Sequence, residues 1–177
     1  DLSDCDILMG VKEVNIEELM EGKHYFFFSH TIKKQPYNAD LLKAFLEKKI
    51  QITDYETLTY KKGGRILGFG RYAGIVGAYN GFLAWGKRNG SYELKPANQC
   101  VDFEEIKLEL KKVVLGDAKI VLTGGGRVAQ GAIEIIDEIK VPAVNSSDFI
   151  FQEFHTPIYT QLHCENLYKS RTGKDFN

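Results

Sequence analysis

Apolar and polar positions along the chain switch between two rhythms, and the switch repeats. Asp6-Ile7-Leu8-Met9-Gly10-Val11 is a short, nearly continuous apolar run. That pattern predicts a strand buried on both faces. A helical turn is expected over Ile16 to Met20, then an aromatic strand over His24-Tyr25-Phe26-Phe27-Phe28-Ser29. Asn38 is placed to cap a helix whose apolar face is Leu41, Leu42, Phe45 and Leu46, spaced at the helical period. Ile50 to Glu56 reads as a third strand. Strands separated by helical crossovers imply a parallel sheet, so the fold class is α/β.

Lys61-Lys62-Gly63-Gly64 is a turn that predicts a hairpin between Thr57–Tyr60 and Arg65–Phe69. A helix from about Tyr72 to Gly86 carries Ala73, Gly74, Gly77, Ala78 and Gly81. Each glycine costs roughly 1 kcal/mol in a helix interior, so this density predicts the close approach of another backbone. Asn89-Gly90-Ser91 and Lys95-Pro96-Ala97-Asn98 mark a boundary, and Phe103 to Val113 is a charged amphipathic helix. A second strand–helix unit begins at Ala118. It runs through a strand at Lys119–Thr123, a turn at Gly124-Gly125-Gly126, a helix from Arg127 to Lys140 and a strand at Val141–Asn145. Ser146 is placed to cap a short helix through Glu153, and Pro157–Leu162 reads as a further strand.

A length of 177 residues suits one large domain or two small or incomplete ones. With 44% hydrophobic and 27% charged residues, the chain is neither disordered nor fibrous in composition. The 23 basic and 24 acidic residues leave a net charge of -1, which points to no nucleic acid and no anionic membrane as partner. No apolar run approaches the ~20 residues that span a bilayer. Cys5, Cys100 and Cys164 show no CxxC spacing. They predict neither a disulfide framework nor a structural zinc site, but reduced thiols in a cytoplasmic setting. The chain starts Asp1-Leu2-Ser3-Asp4 directly before a strand and ends without a closing helix. Both ends look cut, and an internal fragment is expected.

Gly124-Gly125-Gly126-Arg127-Val128-Ala129, with Gly131 following, fits G-x-G-x-x-[GA] after a strand and at the start of a helix. Glycines there let the backbone turn tightly and approach a pyrophosphate, which the free N–H groups and dipole of the helix N-terminus attract. The competing reading is a tight turn that binds nothing. The acidic residue expected about 20 positions on, which grips ribose hydroxyls, is not obvious: Asn145, Ser146 and Ser147 stand there and Asp148 falls late. NAD and NADP therefore stay equally open.

In a parallel α/β sheet, ligands bind outside the carboxyl ends of the strands. The first strand ends at Lys12-Glu13, the second at His30 and the third at Asp54-Tyr55-Glu56. A lysine, a histidine and carboxylates on one edge can tune one another's protonation and transfer protons. Taken singly, Lys12 and Glu13 could be solvated, His30 could satisfy a loop, and Glu56 could be a surface residue. Taken together they favour a site. A catalytic metal would want two or three His or Cys, so none is expected. Cys5 precedes its strand and lies at the wrong end of the sheet for nucleophilic catalysis. Arg65, Arg71 and Lys33 are candidates for binding substrate carboxylates or for plain surface charge.

Four separated segments carry a resemblance. Gly10-Val11-Lys12-Glu13, Phe27-Phe28-Ser29-His30-Thr31-Ile32-Lys33, Asp54-Tyr55-Glu56 and Phe69-Gly70-Arg71-Tyr72-Ala73-Gly74 occur in order. With the glycine loop they resemble the alanine dehydrogenase / lysine-forming saccharopine dehydrogenase superfamily, most of all its saccharopine dehydrogenase and lysine–ketoglutarate reductase branch. The match covers most of residues 6–145.

The resemblance implies two Rossmann-like parallel-sheet domains with a cleft between them. Here they would be a partial N-terminal substrate domain with a linking helix, residues 1–97, and a partial dinucleotide-binding domain, residues 98–177. It implies an amino-acid oxidoreductase that transfers hydride through an imine, with NAD or NADP as cofactor and an amino acid or 2-oxo acid as substrate. Lys12 and His30 match the family's acid–base pair. Glu13 and Glu56 match carboxylates that adjust that pair's charge, and Arg65 an arginine that holds substrate carboxylate. Gly124, Gly125, Gly126, Arg127, Val128 and Gly131 fall in the cofactor loop.

The family's first strand–helix segment, with a substrate-contacting arginine, is absent here, and its second domain continues beyond residue 177. An alanine dehydrogenase would more usually place Pro after Val-Lys-Glu, where this chain has Val14. Alanine dehydrogenase is therefore the runner-up. A non-catalytic nucleotide-binding module is the alternative from another class, and a homo-oligomer stays open.

Overall fold

The computed structural model describes residues 1–173 and divides into two compact units, Asp1–Gly68 and a second that begins at Phe69. The sequence reading put the boundary at 97/98. The difference comes from the helix after Phe69, which packs with the later residues.

In the first unit, β1 (Ile7–Lys12), β2 (His24–Phe28) and β3 (Gln51–Asp54) form a parallel sheet in the order β1-β2-β3. Helix α1 (Ala39–Glu47) lies between β2 and β3 in the chain. Leu8, Tyr25 and Ile52 stand in register across the sheet, as do Met9, Phe26 and Thr53. Since side chains alternate between faces, the first set shares a face with Phe27. That face packs on Leu41, Ala44 and Phe45 of α1. Full burial of each large side chain in such a core is worth about 1.5–3 kcal/mol.

The opposite face explains a correction. β1 was expected to be buried on both sides, but Ile7 is 55%, Met9 72% and Val11 56% exposed. β1 is an edge strand of this sheet, and α1 covers only the face that Leu8 shares. Two other expectations contract. The hairpin at residues 57–69 keeps one antiparallel bridge, Thr59 to Arg65, beside left-handed Gly63 and Gly64. Asn38 precedes α1 but makes no side-chain cap bond; its amide donates to the carbonyl of His30 at 3.3 Å.

The second unit contains α2 (Gly70–Asn89), α3 (Phe103–Leu110), β4 (Lys119–Thr123), α4 (Arg127–Glu138), α5 (Ser146–Phe151), β5 (Ile158–Leu162) and α6 (Cys164–Leu167). β4 and β5 pair in parallel. The strand expected at Val141–Asn145 is reduced to a bridge from Ala143 to Tyr159. Pro142 has no N–H for a ladder and only accepts, from Tyr159 N at 3.0 Å. Asn145, rather than Ser146, caps α5, accepting from Asp148 N at 2.8 Å.

The glycine-rich helix α2 does meet another backbone, that of α4. A methyl at Gly74 would lie 1.9 Å from the Val128 carbonyl oxygen, and one at Gly131 would lie 1.9 Å from that of Arg71. Each helix thus sets a glycine against the other's carbonyl. Gly77 and Gly81 have open space instead. They line an apolar hollow of about 560 Å³ with Trp85 and Val121.

Candidate functional site

Three strand ends build the first site. Lys12 is the last residue of β1, His30 follows β2 by two residues, and Glu56 follows β3 by two. Because the strands are parallel and in register, all three ends fall on one edge. Lys12 Nζ lies 2.9 Å from His30 Nε2. On the far side of the ring, His30 Nδ1 lies 2.8 Å from Glu56 Oε2. Lys33 Nζ is 3.4 Å and Arg65 3.1 Å from Glu56 Oε1.

The proton positions follow from the donor inventory. Glu56 as a carboxylate only accepts, so Nδ1 carries the hydrogen. A neutral His30 then offers the Nε2 lone pair to the Lys12 ammonium. Lys33 Nζ is also 3.0 Å from Nδ1. Two donors cannot bond each other, so Lys33 serves Glu56 by charge. Moving one proton from Lys12 Nζ to His30 Nε2 reverses the donor and acceptor of the 2.9 Å bond and keeps it intact. Lysine and histidine thus share one transferable proton.

The Glu56 side chain is only 1% exposed. Burial pushes its carboxyl up, but the hydrogen bond from His30 and the positive charge of that ring whenever it holds the shared proton, followed by the charge of Lys33, outweigh this and hold it below the ordinary 4.5.

His30 has φ 58° and ψ 6°, in the left-handed region. That conformation costs a non-glycine residue about 1–3 kcal/mol and persists only where neighbours enforce it. The neighbours are two buried polar groups: Ser29, which is 0% exposed and which spacing did not single out, and Asp54, read only as one carboxylate of the strand end. The Ser29 hydroxyl donates to Asp54 Oδ2 and accepts from Thr31 N at 3.2 Å. Glu56 N donates to Asp54 Oδ1 at 2.8 Å. A serine after one strand and an aspartate at the end of its neighbour were visible in the sequence, but only their burial gives them meaning. Glu13, expected beside the pair, is exposed and takes no part in this cluster among the described residues.

A second candidate site lies at the ends of β4 and β5. Gly124 turns with φ +86° and Gly126 precedes α4. Methyls built at Gly124 and Gly126 meet nothing within 4 Å, which leaves the space a pyrophosphate would need. The first bond into α4 runs from Gln130 N to Gly126 O at 3.0 Å. The N–H groups of Val128 and Ala129 come before that bond, in the first helical turn whose N–H groups have no partner within the helix, and suit an anion. Gln161 donates to the Gly124 carbonyl at 2.8 Å, and the His163 ring stands against Gly125. Gly131 lies inside the α2–α4 crossing rather than at the loop, the packing role of a third glycine. Arg71, a candidate for substrate carboxylate, makes a two-pronged bond to Glu134 at 2.7 and 2.5 Å.

Residues 1–76 match the family model described as alanine dehydrogenase/PNT, N-terminal domain. The mitochondrial alpha-aminoadipic semialdehyde synthase of Mus musculus is 33% identical over 157 residues, covering 78% of this chain and 17% of that protein. The saccharopine dehydrogenase [NAD(+), L-lysine-forming] of Candida albicans is 28% identical over 163 residues, covering 78% of this chain and 42% of that protein. An L-alanine dehydrogenase structure superposes with a TM-score of 0.51 at 13% identity, over 88% of this chain and 42% of that one. That likeness concerns the fold. The chain thus spans less than half the length of these curated relatives.

Proposed function

The chain is a relative of the alanine dehydrogenase / saccharopine dehydrogenase superfamily, nearer its saccharopine dehydrogenase side, and from that we propose that it is part of a nicotinamide-dependent amino-acid oxidoreductase of the saccharopine dehydrogenase type. The observation that carries the reading is the 2.9 Å contact of Lys12 with His30, backed by Glu56.

The reaction class interconverts an amine and an imine at an amino-acid carbon, and an imine and a carbonyl through water. Each stage moves protons at the substrate nitrogen or oxygen. The neutral member of the Lys12–His30 pair takes the proton from the amine nitrogen or from attacking water. The protonated member returns it to the departing nitrogen. General acid–base work of this kind contributes about 10²–10⁴-fold. Glu56 stabilises whichever cation the pair holds, while Lys33 and Arg65 keep the surroundings attractive to substrate carboxylate. A bound nicotinamide supplies or accepts the hydride. The N–H groups of Val128 and Ala129, behind Gly124-Gly125-Gly126, would hold its pyrophosphate, and the open space at Gly124 and Gly126 fits that group.

The test is turnover by the full-length protein with lysine, 2-oxoglutarate and NADH or NADPH, compared with pyruvate and ammonia. Oxidation with the first pair supports the saccharopine-type reading, and oxidation only with the second moves it to alanine dehydrogenase. Nucleotide binding without turnover on either pair overturns the enzymatic reading in favour of a nucleotide-binding module.

A further inference from the structure

We propose that Asp54 is a positioning residue: it sets the His30 ring and the Glu56 carboxylate against each other by tying both of their loops to one buried side chain. The inference rests on the acid–base reading of Lys12 and His30 and assigns a role to a buried carboxylate that this reading does not use.

Asp54 is buried at the end of β3, beside Phe27 of β2 in register. Its two oxygens face different loops. Oδ1 accepts Glu56 N at 2.8 Å, which fixes the backbone that carries the site carboxylate. Oδ2 accepts the hydroxyl of Ser29, the residue before His30. That hydroxyl has one hydrogen and two lone pairs. The hydrogen goes to Asp54, and the lone pairs take Thr31 N at 3.2 Å and the Thr31 hydroxyl at 2.8 Å. His30 is therefore clamped between two residues that share one oxygen. A third tie, from the Asn38 amide to the His30 carbonyl at 3.3 Å, closes the loop from its other end.

This clamp accounts for the left-handed φ of 58° at His30. A backbone outlier of that kind persists where its neighbours over-determine it, and such outliers gather at functional sites. The consequence is chemical. The 2.8 Å bond from His30 Nδ1 to Glu56 leaves the Nε2 lone pair for Lys12. If either loop shifts, the ring is free to take the other tautomer, and the proton relay to Lys12 is lost while the rest of the sheet stands. Asparagine at position 54 keeps the shape but presents an N–H to a hydroxyl whose lone pairs are both in use. Ser29 must then release Thr31.

The experiment reads the ring nitrogens of His30 by long-range ¹H–¹⁵N correlation in the ¹⁵N-labelled chain, with the signal assigned by its loss in His30→Gln. In the wild type, neutral His30 shows a pyrrole-like Nδ1 and a pyridine-like Nε2. Asp54→Asn and Ser29→Ala are each expected to average the two shifts toward a tautomer mixture, with amide signals of α1 and β2 in place. In the full-length protein the same variants lower kcat at least tenfold, with KM changed less than threefold. If the folded variants keep the wild-type ring shifts, the proposal is overturned, even where their melting temperatures fall. Ser29→Ala removes a single oxygen and decides the matter should Asp54→Asn not fold. Absence of turnover in the wild-type full-length protein would sink the proposed function instead, and the ring-nitrogen result would still decide the role of Asp54.

Discussion

His30 Nδ1 and Glu56 Oε2 stand 2.8 Å apart although their residues are 26 positions distant in the chain. Parallel pairing of β2 with β3 brings them together, and burial of the carboxylate makes the contact count. A carboxylate in solvent would share its charge with water. At 1% exposure, Glu56 has His30, Lys33 and Arg65 as its partners instead.

This predicts how stability follows pH. The folded carboxyl of Glu56 sits below 4.5, its ordinary value and the value in the unfolded chain. Above pH 4.5 the stabilisation is fully present. As the pH falls through 4.5 the unfolded chain takes up this proton first, so the contribution shrinks, and it is gone below the folded value. Glu56→Gln should cost about 1–3 kcal/mol at pH 7. Urea midpoints taken between pH 3 and pH 7 should then fall less steeply on acidification in the variant. Equal slopes would contradict the assignment.

The glycines of α2 and α4 predict opposite outcomes for one kind of substitution. A methyl at Gly131 would strike the Arg71 carbonyl, whereas nothing lies within 4 Å of one at Gly77. Gly131→Ala should destabilise by about 1–3 kcal/mol or more, as overpacking does. Gly77→Ala should stabilise by roughly 0.5–1 kcal/mol, because alanine loses less freedom in a helix. Thermal melts of the two variants check both signs.

The glycine loop predicts a separation of binding from stability. Gly126 has φ -78° and ψ -172°, a backbone that alanine adopts, and it faces open space. Gly126→Ala should lower the melting temperature by no more than about 4 °C, since exchanging one N-cap glycine for alanine costs about 1 kcal/mol or less. Its added methyl occupies the approach to the α4 N-terminus and should weaken NAD(H) or NADP(H) binding at least tenfold by titration calorimetry. Unchanged affinity would remove the loop from the nucleotide site.

Much of this arrangement was readable from residue patterns. The apolar face of α1 and the aromatic run of β2 predicted a parallel-sheet α/β unit. The rule that ligands gather at strand ends points to Lys12, Glu13, His30, Asp54 and Glu56, of which Glu13 stands exposed and apart from the cluster among the described residues. The same residue pattern cannot tell a central strand from an edge strand. Ile7, Met9 and Val11 read as buried but are exposed, since pairing order decides the edge. Pro142 undercut the strand expected around it, through a missing N–H. The positioning role of Ser29 and Asp54 stayed silent for another reason. Their role lies in a buried bond to each other and in bonds to backbone N–H groups, which no residue spacing encodes. Arg71 and Glu134 are likewise 63 positions apart, and only the helix crossing pairs them.

Steady-state turnover of Lys12→Met in the full-length protein tests the account most directly. Methionine keeps the length of the side chain and removes the amine that faces His30 Nε2 at 2.9 Å. With lysine, 2-oxoglutarate and reduced cofactor, kcat should fall about 10²–10⁴-fold while the melting temperature and nucleotide affinity hold. A folded Lys12→Met protein that turns over at the wild-type rate would contradict the proton-relay role of Lys12 and His30.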